Sequence, residues 1–283
     1  MFLRLFLLII LLSSTTTIRA DTIKVKDPIL QCNDTHTSLV FSENIDLNIS
    51  ENEASKKIFP ASLVKIMTAY LVFEAIEEGK LSFDQKIKIS ARSNATSYVN
   101  RVTTLHLKIG DEITIKDALY GMIIKSFNGA AVALAEKIAG SEWEFAQMMN
   151  KKAIKIGMYD SNFRNASGLH DKGQYTTAYD LKKLILSIKN KYPQYYKIFG
   201  MKEIEIFDKK FTSHNNVLLN YKGAEGMKTG FTSLSGFNLI SSAYKNDHRV
   251  FSILLSCESS NMRNNVTKKM LDEAFFKIAN DIK

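Results

Sequence analysis

Hydrophobic and polar positions follow different periods at the two ends of the chain and in its middle. Short apolar runs typical of β-strands occupy residues 235–244 and 250–257, and residues 29–32 and 38–42 predict a hairpin around Asn33-Asp34. Apolar residues recur with the period of an α-helix in the segments 62–78, 115–138, 142–156, 179–189 and 264–279.

Strands at both ends with helices between them predict an α+β fold, in which one sheet is assembled from both chain ends and carries a helical insertion. We expect a single domain over residues 21–283. Its sheet-containing part would cover about 21–85 and 207–283, and its mostly helical subdomain about 86–206.

The first 20 residues have the pattern of a secretory signal peptide. Met1–Arg4 form a short start with one basic residue, Arg4. Leu5–Leu12 are apolar, and mostly small or polar residues lead to Ala20, after which we expect cleavage. The apolar run is far shorter than the roughly 20 residues that span a bilayer. No cysteine follows it that would indicate a lipoprotein. The mature protein is therefore predicted to be exported.

Composition and charge exclude several classes of protein. The chain has 283 residues, of which 45% are hydrophobic, so it can form a packed core and is neither fibrous nor largely disordered. Loss of Arg4 and Arg19 with the signal lowers the net charge from +9 to +7. The basic residues are spread among acidic ones and form no stripe with interleaved aromatics, so we predict no nucleic-acid partner.

Cysteine and histidine residues are few and far apart. Cys32 and Cys257 could form a disulfide in an exported protein, or could remain two buried thiols. The five histidines show no metal-ligand spacing, and we predict neither a metal nor another cofactor.

Ser62-Leu63-Val64-Lys65 opens the predicted helix 62–78, which is apolar around nearly its whole circumference. Residues three apart share one helix face, so the Ser62 hydroxyl and the Lys65 amine can meet. A serine becomes a nucleophile when a neighbouring base takes its proton. Ser242-Ala243-Tyr244-Lys245 has the same spacing but falls in a predicted strand, where positions three apart face opposite sides.

Two further polar elements interrupt apolar surroundings. Ser126-Phe127-Asn128 lies inside the predicted helix 115–138, where Ser and Asn are unfavourable and indicate a local break or a cleft wall. Lys228-Thr229-Gly230 precedes the predicted strand 235–244. A glycine at a strand edge admits a ligand closely, and a lysine with a hydroxyl can hold a carboxylate, although a plain turn has the same composition.

In this order, the three elements resemble the active-site motifs of penicillin-binding proteins and class A β-lactamases. The chain is most similar to low-molecular-weight D-alanyl-D-alanine carboxypeptidases of the serine type. The similarity also includes the segments 59–62, 167–169, 174–178, 215–219 and 225–232. It implies the β-lactamase/DD-peptidase-like fold, with an antiparallel sheet flanked by helices.

The resemblance also implies a role for each site residue. Ser62 would attack the carbonyl between two D-alanines, Lys65 would take its proton, and Ser126 would relay a proton to the leaving amine. Asn128 would bind the substrate amide, and the backbone N–H groups of Ser62 and Phe231 would form the oxyanion hole. The residues expected to hold the substrate's terminal carboxylate, or to shape that end of the site, are Lys228, Thr229, Gly230 and Arg263.

Peptidoglycan stem peptides are then the expected substrates, and β-lactam antibiotics the expected covalent inhibitors. A class A β-lactamase would need a Glu-x-x-Leu-Asn segment between Ser126 and Lys228, and the loop 165–169 carries no glutamate. We therefore expect slow hydrolysis of a bound penicillin. A D,D-endopeptidase that cleaves cross-links, or a catalytically silent wall-binding protein, remains the alternative.

Several positions depart from the family pattern. Gly129 stands where an acidic residue is common, Phe127 where a small one is, and Ser167 where some members carry histidine. The sequence ends at Lys283, without the C-terminal β-rich domain and amphipathic anchor of many relatives, and we expect the catalytic fold to form without them. Peripheral membrane association is left open, with an uncleaved signal as its candidate anchor.

Overall fold

The computed structural model describes residue 32 and residues 36–43, 47–99 and 104–281. The predicted signal peptide and the first three residues of the predicted strand 29–32 lie outside these residues. The strands are β1 (Thr37–Ser42), β2 (Leu47–Asn52), β3 (Lys86–Lys88), β4 (Glu112–Thr114), β5 (Glu203–Ile206), β6 (Lys209–Thr212), β7 (Ala224–Thr232), β8 (Gly236–Lys245) and β9 (His248–Cys257). The α-helices are α1 (Val64–Glu77), α2 (Ala91–Tyr98), α3 (Ile115–Ile124), α4 (Asn128–Ala139), α5 (Glu142–Lys155), α6 (Ala178–Lys191), α7 (Pro193–Tyr196), α8 (Asn216–Asn220) and α9 (Ser260–Asp281).

The main sheet is antiparallel, with strand order β2-β1-β9-β8-β7, and it joins strands from both ends of the chain. The prediction of an α+β fold with such a sheet is confirmed. Two short two-stranded sheets, β3-β4 and β5-β6, accompany it.

Period-two alternation in β1 divides the core between the two faces of the sheet. Leu39 and Phe41 pack with α1 and its neighbouring helices in the large cluster. Val40 faces the opposite side and packs with Leu271 of α9. The sheet therefore separates α9, which packs with Val217 of α8, from the large helical cluster around α1. In α1, residues 64–73 are all buried, as its continuous apolar pattern predicts.

Two strands differ from their sequence interpretation. β1 pairs with β2, whereas the sequence predicted that residues 38–42 form a hairpin with residues 29–32. Lys228-Thr229-Gly230 lies within β7 and not in a turn before the next strand. Both β2 and β7 are edge strands, which need fewer apolar residues than central strands, so their composition resembles that of loops.

The predicted helix 115–138 is two helices, α3 and α4, separated at Ser126. Ser126 has φ +63°, a left-handed conformation that ends α3 and redirects the chain. The polar interruption in the sequence therefore marks a backbone break.

Cys32 and Cys257 form a disulfide with a Cα–Cα distance of 4.9 Å, which settles the alternative that the sequence left open. The bond ties the segment before β1 to the end of β9. Across the part of the chain that the structure describes, no helix has the length and hydrophobicity needed to span a membrane.

Candidate active site

The Ser62 hydroxyl and the Lys65 amine meet at the start of α1, as their spacing predicts. Ser62 lies in the 3-10 turn Ala61–Leu63, and Lys65 lies in the first turn of the α-helix that follows. Lys65 Nζ is 3.0 Å from Ser62 Oγ. The Lys65 side chain is fully buried, whereas Ser62 is half-buried and faces a cleft.

Two carbonyl groups from other parts of the chain hold the Lys65 amine. Nζ donates to Asn128 Oδ1 over 2.8 Å and to the backbone carbonyl of Ser167. Asn128 is the first residue of α4, and Ser167 belongs to the loop before α6. Both oxygens can only accept hydrogen bonds, so they fix the position of the amine and the direction of two of its N–H bonds.

Burial lowers the pKa of Lys65 well below its ordinary range, because the charged form loses its hydration. The neighbouring charge of Lys228 lowers this pKa further, and Glu142 opposes the change. Lys228 is itself buried, and its burial together with the charge of Arg263 lowers the pKa of Lys228 to about 7. The site thus favours a neutral amine next to the serine.

Ser126 is the second serine at the cleft. Its side chain is 4% exposed, and its Oγ has no hydrogen-bond partner among the described residues. A buried hydroxyl without a partner carries a free-energy cost of about 1–3 kcal/mol. This cost fits a group that is kept available for a substrate.

Two glycines flank the turn that carries Ser62. A Cβ on Gly168, which has φ +82°, would lie 1.9 Å from the Ala61 carbonyl oxygen. A Cβ on Gly230 of β7 would lie 3.0 Å from the Pro60 carbonyl oxygen and 3.3 Å from Ser62 N. Glycine at both positions therefore lets the loop and the strand approach the backbone around Ser62 from two sides.

A cleft of about 760 Å³ joins these elements. Among the residues predicted to form the site, it is lined by Ser62, Ser126, Asn128, Thr229, Gly230, Phe231 and Arg263. Lys65 and Lys228 are buried behind this lining. In the described part of the chain, no carboxylate side chain lines the cleft.

The end of the cleft near α9 is cationic. Arg263 is 5% exposed, and its Nε and Nη2 donate to Asn264 Oδ1 over 3.1 and 2.8 Å. Burial lowers the pKa of Arg263 to about 10, so the guanidinium stays charged at neutral pH. Phe231 is half-exposed and stacks on Phe237, with 4.2 Å between ring centroids. These groups suit an anionic ligand beside an apolar wall.

His214 lines the same cleft and was missed from the sequence, because no spacing or motif links it to the other site residues. Its Nε2 lies 2.7 Å from Lys125 Nζ. Burial, with added charge from Lys125, Lys228 and Arg263, lowers the pKa of His214 to about 4. His214 is therefore neutral at pH 7 and accepts a hydrogen bond from the Lys125 ammonium group.

The departures from the family pattern have local causes in the packing. A Cβ on Gly129 would lie 1.9 Å from Ser97 Oγ and 2.7 Å from the Ser93 carbonyl oxygen, so α2 leaves no room for an acidic side chain there. Phe127 is buried, and its ring occupies the space that a Cβ on Gly121 would need. Ser167 contributes its backbone carbonyl, which does not depend on its side chain.

Comparison with known proteins places this geometry in one family. A family model described as D-alanyl-D-alanine carboxypeptidase matches residues 33–259. D-alanyl-D-alanine carboxypeptidase DacF of Bacillus subtilis is 36% identical over 227 residues, which cover 78% of this chain and 57% of that protein.

Solved structures agree with this match. Penicillin binding protein 5 from Haemophilus influenzae superimposes with a TM-score of 0.82 at 29% identity, covering 89% of this chain and 73% of that chain. The ampicillin-bound form of penicillin-binding protein D2 from Listeria monocytogenes gives a TM-score of 0.75 at 29% identity, covering 84% and 96%.

The chain spans 57–58% of the length of the first curated relatives that it matches. The resemblance inferred from the three motifs is confirmed, since the family match covers all of them. The chain belongs to the D-alanyl-D-alanine carboxypeptidase family, peptidase family S11.

Proposed function

We propose that this protein is a serine-type D-alanyl-D-alanine carboxypeptidase that removes the terminal D-alanine from peptidoglycan stem pentapeptides through an acyl-enzyme on Ser62. The observation that carries the proposal is the 3.0 Å approach of Lys65 Nζ to Ser62 Oγ, with the amine buried and its pKa lowered. Membership of the family supports the same reaction.

The hydrogen bonds of Lys65 support its role as the base. A neutral amine has two hydrogens and one lone pair. The carbonyl oxygens of Asn128 and Ser167 accept the two hydrogens, which leaves the lone pair directed at Ser62. The Ser62 hydroxyl then donates to Nζ, and its proton moves to the amine as Oγ attacks the peptide carbonyl.

The oxyanion that forms would be stabilised by the backbone N–H groups of Ser62 and Phe231. Gly230 supports this assignment, because its missing side chain lets β7 approach the turn at Ser62. Removal of one donor from such a site typically costs about 2.7–4 kcal/mol of transition-state stabilisation.

Departure of D-alanine needs a proton on its amine, and we assign its relay to Ser126, whose buried Oγ has no partner among the described residues. Oγ would give its proton to the amine and take up in its place the proton that Lys65 removed from Ser62, which leaves Lys65 neutral again. Asn128 would orient the substrate's amide. The leaving residue's carboxylate would lie toward Thr229 and the Arg263 guanidinium, with Lys228 adding positive charge while it is protonated. Water then hydrolyses the ester on Ser62.

A β-lactam should acylate the same serine. The ampicillin-bound form of penicillin-binding protein D2 from Listeria monocytogenes, a relative of similar fold, supports binding of this class of ligand. We propose that deacylation is slow, because no carboxylate lines the described cleft to activate water against the ester. This property would distinguish the protein from a class A β-lactamase.

The reaction would take place outside the cytoplasm, in a bacterial periplasm or cell-wall space. The signal-like start of the sequence supports export, and the Cys32–Cys257 disulfide supports an oxidising compartment. The association with a membrane stays a prediction.

Fluorescent penicillin tests the proposal directly. We expect a covalent adduct on the wild-type protein and none on Ser62→Ala. Ser242→Ala is the control, because Ser242 has the same spacing to a lysine but lies in a strand, and this variant should label normally. A wild-type protein that forms no adduct would favour a silent wall-binding protein.

A second assay separates the two enzymatic alternatives. Release of D-alanine from a stem pentapeptide should exceed cleavage of a cross-linked dimer at equal concentrations. The reverse ratio would identify a D,D-endopeptidase, which uses the same residues.

A further inference from the structure

Asn238 of β8 is fully buried and lies directly across the strand pair from Gly230 of β7. Gly230 lies so close to the nucleophile's turn that a Cβ on it would be 3.0 Å from the Pro60 carbonyl oxygen. The two cross-strand partners therefore both contact the backbone segment that precedes Ser62. Gly230 can approach it because it has no side chain, and Asn238 binds it through its side-chain amide.

The Asn238 side chain links that segment to the sheet. Its Nδ2 donates to the carbonyl oxygens of Phe59 and Pro60 over 3.3 and 3.2 Å, and its Oδ1 accepts from Ser256 N over 2.8 Å. These partners fix the orientation of the amide, since the two carbonyls can only accept and the Ser256 N–H can only donate.

The sheet is distorted to make this link. The β8–β9 register shifts between Phe237 and Leu239, so that Ser256 becomes an extra residue on β9. Ser256 has φ +64°, which a non-glycine residue adopts only at some cost in free energy. The bulge directs the Ser256 N–H to the Asn238 side chain instead of to a neighbouring strand.

We propose that Asn238 is a positioning residue that sets the distance between the Ser62 turn and β7, and thereby the spacing of the two oxyanion-hole N–H groups. The carbonyls that it holds belong to the two residues before Ala61, so a shift there is passed to Ser62 through a single residue. The inference rests on the proposed acyl-transfer function. Loss of the Asn238 contacts should therefore lower the acylation rate without changing the pKa of Lys65.

Asn238→Asp tests this role with a nearly isosteric change. The carboxylate can still accept from Ser256 N, but it repels the carbonyl oxygens of Phe59 and Pro60. We expect the acylation rate constant with fluorescent penicillin to fall about 10- to 100-fold, the cost typical of a misplaced reacting group. The initial non-covalent affinity should stay unchanged. The midpoint of the acid limb of the pH profile should stay unchanged in Asn238→Ser, which adds no charge near Lys65.

Ser241→Ala is the matched control. Ser241 lies on the same strand, is equally buried and also donates to a backbone carbonyl, that of Gly226 over 3.2 Å, away from the Ser62 turn. We expect its acylation rate to remain within about twofold of the wild-type rate. Thermal melting of both variants shows whether each is folded at the assay temperature.

Asn238→Ser serves as a second variant, because it keeps a hydroxyl that is too short to reach both carbonyls, and it should lose acylation rate in the same direction. A folded Asn238→Asp or Asn238→Ser protein that acylates at the rate of the control would overturn the positioning role. So would failure of both variants to fold, since Asn238 would then determine the fold. Absence of an adduct on the wild type would instead refute the proposed function.

Discussion

Asn128 Oδ1 lies 2.8 Å from Lys65 Nζ, although the two residues are 63 positions apart in the chain. The contact joins the first turn of α4 to the first turn of α1. An uncharged acceptor at this point holds the amine without the strong attraction that a carboxylate would exert on the ammonium form, as the proposed base requires.

Asn128→Asp should therefore impair the base through charge. A carboxylate next to Nζ favours the ammonium form and raises the pKa of Lys65. We expect penicillin acylation at pH 7 to fall about tenfold or more and to recover as the pH is raised. Asn128→Leu removes the acceptor without adding charge, so an acid limb that is shifted equally in both variants would contradict the explanation.

Lys228→Met should leave the protein at least as stable as the wild type at pH 7 but make it poorly active. The wild-type lysine has its pKa lowered from 10.5 to about 7 by burial. Replacement of a buried charge by an apolar residue of similar size is neutral or stabilising by about 1–4 kcal/mol. Loss of positive charge near the substrate's carboxylate should at the same time raise KM.

The stability difference between Lys228→Met and the wild type should depend on pH. The unfolded chain binds a proton at Lys228 up to about pH 10.4, whereas the folded chain releases it near pH 7. Between these pH values the unfolding free energy of the wild type therefore increases with pH, relative to that of the variant. Denaturant titrations at pH 7 and pH 10 that show a constant difference would contradict this linkage.

Gly129→Ala should destabilise the contact between α2 and α4. The added Cβ would overlap Ser97 Oγ and the Ser93 carbonyl oxygen, and overpacking of this kind costs about 1–3 kcal/mol. Gly173→Ala is the control, because a Cβ there would meet only ordinary contacts at 3.4 Å or more. Equal melting temperatures for the two variants would show that α2 moves aside without cost.

Reduction of the Cys32–Cys257 disulfide should lower stability by about 2–4 kcal/mol. These are the only two cysteines in the chain. A Cys32→Ser/Cys257→Ser double variant should therefore show the lower stability with or without dithiothreitol. Urea unfolding with and without the reductant measures both effects, and a wild-type midpoint unaffected by full reduction would contradict the prediction.

Local patterns in the sequence predicted much of this site. The spacing of Ser62 and Lys65 predicted that their side chains meet, and the polar residues Ser126 and Asn128 indicated the break between α3 and α4. The edge strands β2 and β7 were missed because an edge strand buries fewer side chains than a central strand and so needs fewer apolar residues in its sequence.

Contacts between distant parts of the chain had no such signal. The hydrogen bond from Asn238 to Pro60 joins residues 178 positions apart, and the disulfide joins residues 225 apart. Neither partner carries a local pattern that specifies the other, because these distances are set only when the sheet is assembled. The same holds for the approach of His214 to Lys125.

The glycines on either side of the Ser62 turn have a consequence for drug resistance. Gly168 and Gly230 meet main-chain atoms, so the location of Ser62 Oγ is determined by backbone that a peptide and an antibiotic would both use in the proposed reaction. A substitution there would harm the two reactions together. Selective escape from β-lactams is instead expected at wall side chains such as Phe231 and Leu169, which line the cleft and can differ in how they contact a bicyclic drug and a linear peptide.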